Sequence, residues 1–321
     1  MRRVVGLTVT GLGAFLLVFG LLMRYWVPGQ VLKYPLNEYS VTTLSGTDIT
    51  YFSPSLLREF PHVNASAVKT IEGDVPSGSS SVAVWGAFTA IEDTTNHTAI
   101  QYTSQRSAFD RRTGLLVNCC AASVGSNSKV VQSGQGFMFP YGTQHKDYQV
   151  FDATLLARVT FEFAGTGTID GLSVDKFVEH VDHRRFGQQT LPGSLVGEPQ
   201  QATVTLPESL TATNTFWVDP LTGATVDVTM NQTVELQGAT PAERLVLLGG
   251  TLSETAPSIQ AAVETAQQQH SKITLIQITI PLIGILLGII ALAIGITLVL
   301  RSPEPWVSAY DDDEVEDMAR L

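Results

Sequence analysis

The chain of 321 residues reads as a mainly β protein: an antiparallel sheet, barrel- or sandwich-like with a few helices, carried on two transmembrane α-helices. Three observations predict this. Long uncharged, mostly apolar runs stand near the two ends, from Val4 to Met23 and from Ile273 to Leu300. Between them, stretches that alternate apolar and polar residues are separated by Gly, Asn, Asp and Pro clusters. The composition agrees, because 44% hydrophobic against 15% charged residues, with the apolar share gathered at the ends, argues against a wholly soluble globular chain.

The first element is a basic N-terminus, residues 1–3, with Arg2 and Arg3. The run at 4–23 then covers the roughly 30 Å hydrocarbon core at about 1.5 Å per residue. Its length exceeds a signal-peptide core, and Arg24-Tyr25-Trp26-Val27-Pro28 offers no small-x-small cleavage site, so it reads as a retained anchor. The second run, 273–300, holds no formal charge and is interrupted by polar or imino residues such as Gln277, Thr279 and Pro281. Two spans place both termini on one side, and Arg2 and Arg3 assign that side to the cytoplasm. Residues 24–272 are then extracytoplasmic and 301–321 form a cytoplasmic tail at the plasma membrane. Aromatic residues, Tyr25 and Trp26 after the first span, Trp306 and Tyr310 after the second, suit the headgroup level. Small residues recur at helical spacing on one face of each span: Gly6, Thr10, Gly13 and Gly20 in the first, Gly284, Gly288, Ala291 and Gly295 in the second. They predict close packing, within the chain or, through Gly284 and Gly288, in a homo-oligomer.

In the middle region the strand-like segments are Val82–Ile91, Thr98–Phe109, Tyr148–Phe151, Arg158–Phe163, Leu172–His180 and Thr213–Val218. Two hairpins stand out. One runs from Val159–Phe163 through a loop at Gly165–Gly171 to Val174–Val178, and the other turns at Asp219-Pro220-Leu221-Thr222-Gly223, where Pro and Gly suit the turn positions, and returns over Ala224–Leu236. A short helix is expected at Pro54–Phe60, with Leu56, Leu57 and Phe60 inward. A longer one starts at Thr255 or Ala256, with Pro257 in its first turn and Ile259, Ala262, Val263 and Ala266 as its apolar stripe, and continues toward the second span. Pro76–Ser81 and Ser123–Gly136 read as surface loops.

The chemistry-bearing residues are few. Glu179-His180-Val181-Asp182-His183 is the one histidine cluster, but in an extended strand His180 and His183 point to opposite faces, so no metal is assigned. No Gly-x-Ser-x-Gly elbow occurs, and Gly165-Thr166-Gly167 and Gly134-Gln135-Gly136 lack the later glycines and helix of a phosphate loop, so both read as turns. Glu92 and Asp93 look solvated, without a cleft partner for acid–base work. No catalytic residue and no cofactor is assigned. Cys119 and Cys120 are adjacent and lie in a space where disulfides persist; a vicinal disulfide and two reduced thiols are both open. The net charge is −11, with 15 basic against 23 acidic residues over 24–272, so no region has the surplus that nucleic acid requires. The tail stretch Asp311–Asp317 reads as a disordered acidic segment, a docking site for a basic cytoplasmic partner.

Several longer motifs together carry a family resemblance. They are the extended Val31-Leu32-Lys33-Tyr34-Pro35, Phe109-Asp110-Arg111-Arg112-Thr113-Gly114, Asn118-Cys119-Cys120, Gly136–Thr143, Tyr148–Asp152 and Trp217–Gly223. With the Arg-rich start and the first span ending near Val27-Pro28, the chain resembles an actinobacterial family of two-span membrane proteins catalogued as porin PorA. The label implies an envelope channel. The arrangement is also remotely similar to eukaryotic scavenger receptors with two terminal spans and a sheet-rich, lipid-conducting ectodomain. Outer-membrane pores are closed barrels of lipid-facing strands, whereas this chain spends its membrane-compatible residues on helices. The expectation is therefore a non-enzymatic envelope protein whose β-rich domain binds or passes a membrane lipid or other apolar ligand. The alternatives are an oligomeric channel and a scaffold acting through the acidic tail.

Overall fold

The computed structural model describes residues 2–238, 240 and 243–301; the acidic tail, Trp306 and Tyr310 lie outside the described residues. In chain order the elements begin with α1 (Arg2–Tyr25), α2 (Val27–Val31), β1 (Tyr39–Ser53), β2 (Arg58–Gly73), β3 (Val82–Asp93), β4 (Thr98–Asp110), β5 (Leu116–Val117) and β6 (Ser123–Val124). There follow β7 (Tyr148–Asp152), β8 (Ala157–Ile169), β9 (Leu172–Leu191), β10 (Val204–Val218), β11 (Thr225–Gln237) and β12 (Arg244–Glu254). The last elements are α3 (Ala256–Thr274), a π-helical turn at Leu275–Thr279, and α4 (Ile280–Leu300). The chain forms two compact units, one from the residues up to Gln30 and from Thr274 onward, the other from Val31 to Ile273.

In the helical unit both helices are long and apolar enough to cross a membrane. They pack antiparallel through the glycines. A Cβ on Gly6 would lie 2.9 Å from the Val299 side chain, one on Gly13 2.6 Å from the Leu292 nitrogen, and one on Gly20 2.8 Å from the Ile285 side chain. From α4 the same holds for Gly288 against the Leu17 nitrogen at 2.8 Å and Gly295 against Thr10 Oγ1 at 2.3 Å. Gly284 has the Gly20 Cα and the Leu16 carbonyl as neighbours, at 3.6 Å each, and Ala291 is half-buried. Only residues without a side chain permit backbones this close, so the small-residue faces are consumed within the chain. Pro281 has no N–H to offer the carbonyl four residues before it, Gln277, and that carbonyl accepts instead from Arg24 Nη1 at 2.9 Å.

The other unit is one mostly antiparallel sheet of 12 strands in the order β5-β4-β3-β2-β1-β12-β11-β10-β9-β8-β7, with β6 on β4. It curls until its two edges meet. Gln135 bridges Leu115 beside β5 and Val150 in β7, through Leu116 N to Gly134 O at 2.9 Å, Gln135 N to Gln149 O at 2.7 Å and Phe151 N to Gln135 O at 3.0 Å. Gly134-Gln135-Gly136, read from sequence as a turn, is thus a staple between edges. Gly134 is required there: its φ is +93° and a Cβ would lie 2.5 Å from the Gln149 carbonyl.

Residues of one parity supply the core. Phe161, Phe177, Val181, Leu210 and Ala212 join Phe139 and Tyr148 in one cluster; Leu44, Ile49, Tyr51, Val63, Ala65, Ala67, Leu248 and Leu252 form a second. The apolar stripe of α3 packs as its spacing predicts, Val263 and Ala266 against Leu172, Val174 and Val226, with Ile259 and Ala262 beside them. Its start is held by Thr255, whose N–H donates to the Thr43 carbonyl at 2.9 Å.

Three further sequence expectations are corrected. Pro54–Phe60 is no helix but the turn between β1 and β2 and the start of β2; Leu56 and Leu57 are exposed at its tip, Leu57 with φ 52°, and Phe60 stacks on Tyr51 at 5.1 Å. The apolar spacing there came from a hairpin with a single anchoring ring. Gly165-Thr166-Gly167 is strand: β8 continues to Ile169, and Asp170 and Gly171, with φ of 45° and 80°, make the reversal. Gly167 faces Trp217, whose ring atoms would stand 2.7 Å from a Cβ. Asp93 is fully buried, not solvated. It accepts from Tyr51 Oη at 3.1 Å, Thr95 N at 2.8 Å, Asn96 N at 3.0 Å and Asn96 Nδ2 at 2.7 Å, so it organises the β3–β4 turn. Strands β1, β2 and β12 stand outside the segments expected from alternation, because glycines and bulges interrupt their pattern.

Candidate functional site

Two of the depressions in the sheet unit stand out, and neither is an enclosed apolar chamber. The first, about 290 Å³, lies on the outer face of β2, β3 and β4, lined by Thr70, Glu72, Gly86, Phe88, Ser104 and Arg106, among others. Gly86 stands between Glu72 and Arg106 across the ladder, and its missing side chain opens the depression. Arg106 is held by Asp74 at 2.5 Å and by Ser77 Oγ at 3.0 Å, which keeps the Asp74 carboxyl well below the usual range. Beside it runs an apolar strip. Register places Val41, Thr70 and Phe88 in one row and Val68, Ala90 and Tyr102 in the next; Phe88 and Tyr102 stack at 5.9 Å while 49% and 64% exposed. Val41 and Val68 are exposed as well. Large apolar side chains on neighbouring rows of a solvent-facing sheet mark an interaction surface.

The second depression, about 420 Å³, is a slit in the sheet. The β8–β9 ladder runs from Ile169 and Leu172 to Phe161 and Glu179 and then stops. Beyond that fork Ala157–Thr160 pair with β7, while β9 from His180 onward follows β10. Arg158, Thr160, Glu162, His180, Asp182 and Arg184 line the mouth. At the fork sits Glu179, 2% exposed, one carboxyl oxygen accepting from Asn214 Nδ2 at 2.8 Å. Burial and the neighbouring Asp152 carboxyl push Glu179 up to about 7, and burial raises Asp152 too.

The histidine cluster does not converge. His180 Nδ1 meets Thr213 Oγ1 at 3.1 Å, while His183 pairs with Asp182 at 2.6 Å, which raises its proton affinity. Among the described residues no group of three or more His, Cys, Asp or Glu is placed to hold a metal ion. Cys119 and Cys120 are joined as a vicinal disulfide in an exposed loop, with positive φ at Cys120 and Ala121 and the Cys120 carbonyl accepting from Arg106 Nε at 3.1 Å. Glu179 and Asn214 were not separable from other polar strand residues by sequence; a charged residue at an inward position of β9 was the available signal.

No curated protein matches the chain. A model of the family described as Porin PorA matches residues 5–297, nearly the whole length, with most of both apolar helices and the entire curled sheet. The chain therefore belongs to the porin PorA family.

Proposed function

We propose that this chain is a non-enzymatic envelope protein, anchored by its helix pair with both termini in the cytoplasm, whose sheet domain binds an apolar or lipid ligand on its outer face. The observation that carries the reading is the strip of Val41, Val68, Phe88 and Tyr102 beside the polar depression at Gly86. An amphiphile fits both parts: alkyl carbons over the Phe88–Tyr102 stack, a hydrogen-bonding head against Thr70, Ser104 and Ser123. This departs from a ligand held in an interior tunnel, since the core clusters fill inward positions of the sheet with side chains. The test is native mass spectrometry of the detergent-purified full chain after lipid extract is added. Retained lipid that is lost in Phe88→Ser/Tyr102→Ser supports the reading, and equal retention by the double variant sinks it.

The family label favours a channel as the second reading. A pore built from these helices requires oligomers, and the Gly284/Gly288 face is already occupied by α1. Single-channel recording in planar bilayers decides between the two: steps in conductance would favour the channel, silence at all voltages the binding protein. Orientation is read from cysteines introduced at the N-terminus and in the β3–β4 turn of a Cys119→Ser/Cys120→Ser background, with a membrane-impermeant thiol reagent on intact cells. Labelling of the turn alone is expected.

A further inference from the structure

Three oxygen-bearing side chains meet where the β8–β9 ladder opens. Glu179 presents one carboxyl oxygen to Asn214, and its other oxygen has no protein partner. Asn214, directly across the β9–β10 ladder and 3% exposed, lies against Glu179 through its Nδ2 while its carbonyl oxygen is also unpartnered. The Asp152 carboxyl, at the end of β7, lies near enough for its charge to act on Glu179. Buried polar oxygens are ordinarily satisfied, and two adjacent acceptors beside a second carboxyl suit a positive occupant.

We propose that Glu179, Asp152 and Asn214 form a binding site for a hard divalent cation of the Mg²⁺ or Ca²⁺ class at the fork where β8 and β9 part. The donor set is all oxygen, which selects hard cations over zinc or copper. Two neighbouring carboxylates oppose each other's ionisation, and a dication supplies the charge that offsets both. Register sets Phe161 on β8 and Asn214 on β10 beside Glu179, with Tyr148 of β7 beyond Phe161, so no lysine or arginine stands directly opposite it in the ladder. Arg184 acts on Asp152 from the mouth, where its charge and that of Arg158 are balanced by Glu162 and Asp182. The slit beside the fork is therefore close to neutral and does not repel a cation.

The experiment is thermal unfolding of the detergent-purified full chain with CaCl₂, with MgCl₂ or with EDTA, at pH 7.5 and at pH 5. At the higher pH one of the cations should raise the midpoint by about 3–5 °C over EDTA. The gain should shrink at pH 5, where protons compete, and vanish in Glu179→Gln and in Asp152→Asn. Asp152 is less deeply buried than Glu179, so its variant keeps the test intact where Glu179→Gln fails to fold. Cation binding to the tail acids Asp311–Asp317 is the same in wild type and variants and cancels in the comparison. Midpoints that do not respond to either cation, or a gain that survives in Asp152→Asn, would overturn the proposal and leave a proton as the pair's occupant.

Discussion

Glu179 and Glu254 show how loss of water sets a titration. Each is pushed up to about 7, Glu179 by burial and then by Asp152, Glu254 by burial and then by Asp227, with Lys69 opposing the shift. The folded chain thus holds these protons more tightly than the unfolded chain does. The stabilisation is complete below the ordinary value of 4.5 and is lost as pH rises through about 7. Asp74, Asp93 and Asp110 act in the opposite sense, since hydrogen bonds hold them below 3.8 and their contribution is lost in acid. Stability measured in EDTA by urea unfolding should therefore fall between pH 5 and pH 8, and Glu179→Gln should remove about 2–3 kcal/mol of that fall. A pH dependence unchanged in the variant would mean that Glu179 does not carry it. The cysteine pair makes a contrasting case. Its bond closes a loop between adjacent residues, so little chain entropy is at stake, and Cys119→Ser/Cys120→Ser should cost less than about 1 kcal/mol. Alkylation should find no free thiol before reduction and both after it.

Elements in this protein are joined by positions where a side chain would not fit. Gly13 and Gly288 bring α1 and α4 to backbone contact, and Gly288→Leu should push the helices apart at a cost of about 2–4 kcal/mol, read as a lower thermal midpoint in detergent. Gly11, with open space around its Cβ, is the internal control: Gly11→Leu should leave the midpoint unchanged. In the sheet the corresponding position is Gly134. Gly134→Ala combines a φ of +93° with a 2.5 Å approach to the Gln149 carbonyl, so the staple between β5 and β7 should open at about 2–3 kcal/mol. Hydrogen exchange should then speed up at Leu116 and Phe151, whose amides donate to Gly134 and Gln135, and unchanged protection there would count against the staple.

For the molecule as a whole, two apolar helices, strand-rich middle and family were legible in the sequence, because each rests on local pattern. A run such as Val4–Met23 leaves the hydrocarbon core as its solvent whatever the rest of the chain does, and period-2 alternation in Arg158–Phe163 can bury one face only as a strand. The glycine spacing at Gly6, Gly13 and Gly20 likewise announces a close contact. Which partner fills that contact is a matter of three dimensions, and so are the features that bear on function. The slit exists because β8 and β9, adjacent in sequence, part company at Glu179; the curled sheet closes because Gln135, from a stretch with no strand pattern, finds two edges at once. Asp93 becomes a buried turn organiser through Tyr51, on a strand far away in sequence. Local periodicity dictates which face of an element is apolar, whereas long-range register and the satisfaction of buried polar groups decide which faces meet, and only the folded chain brings those partners together.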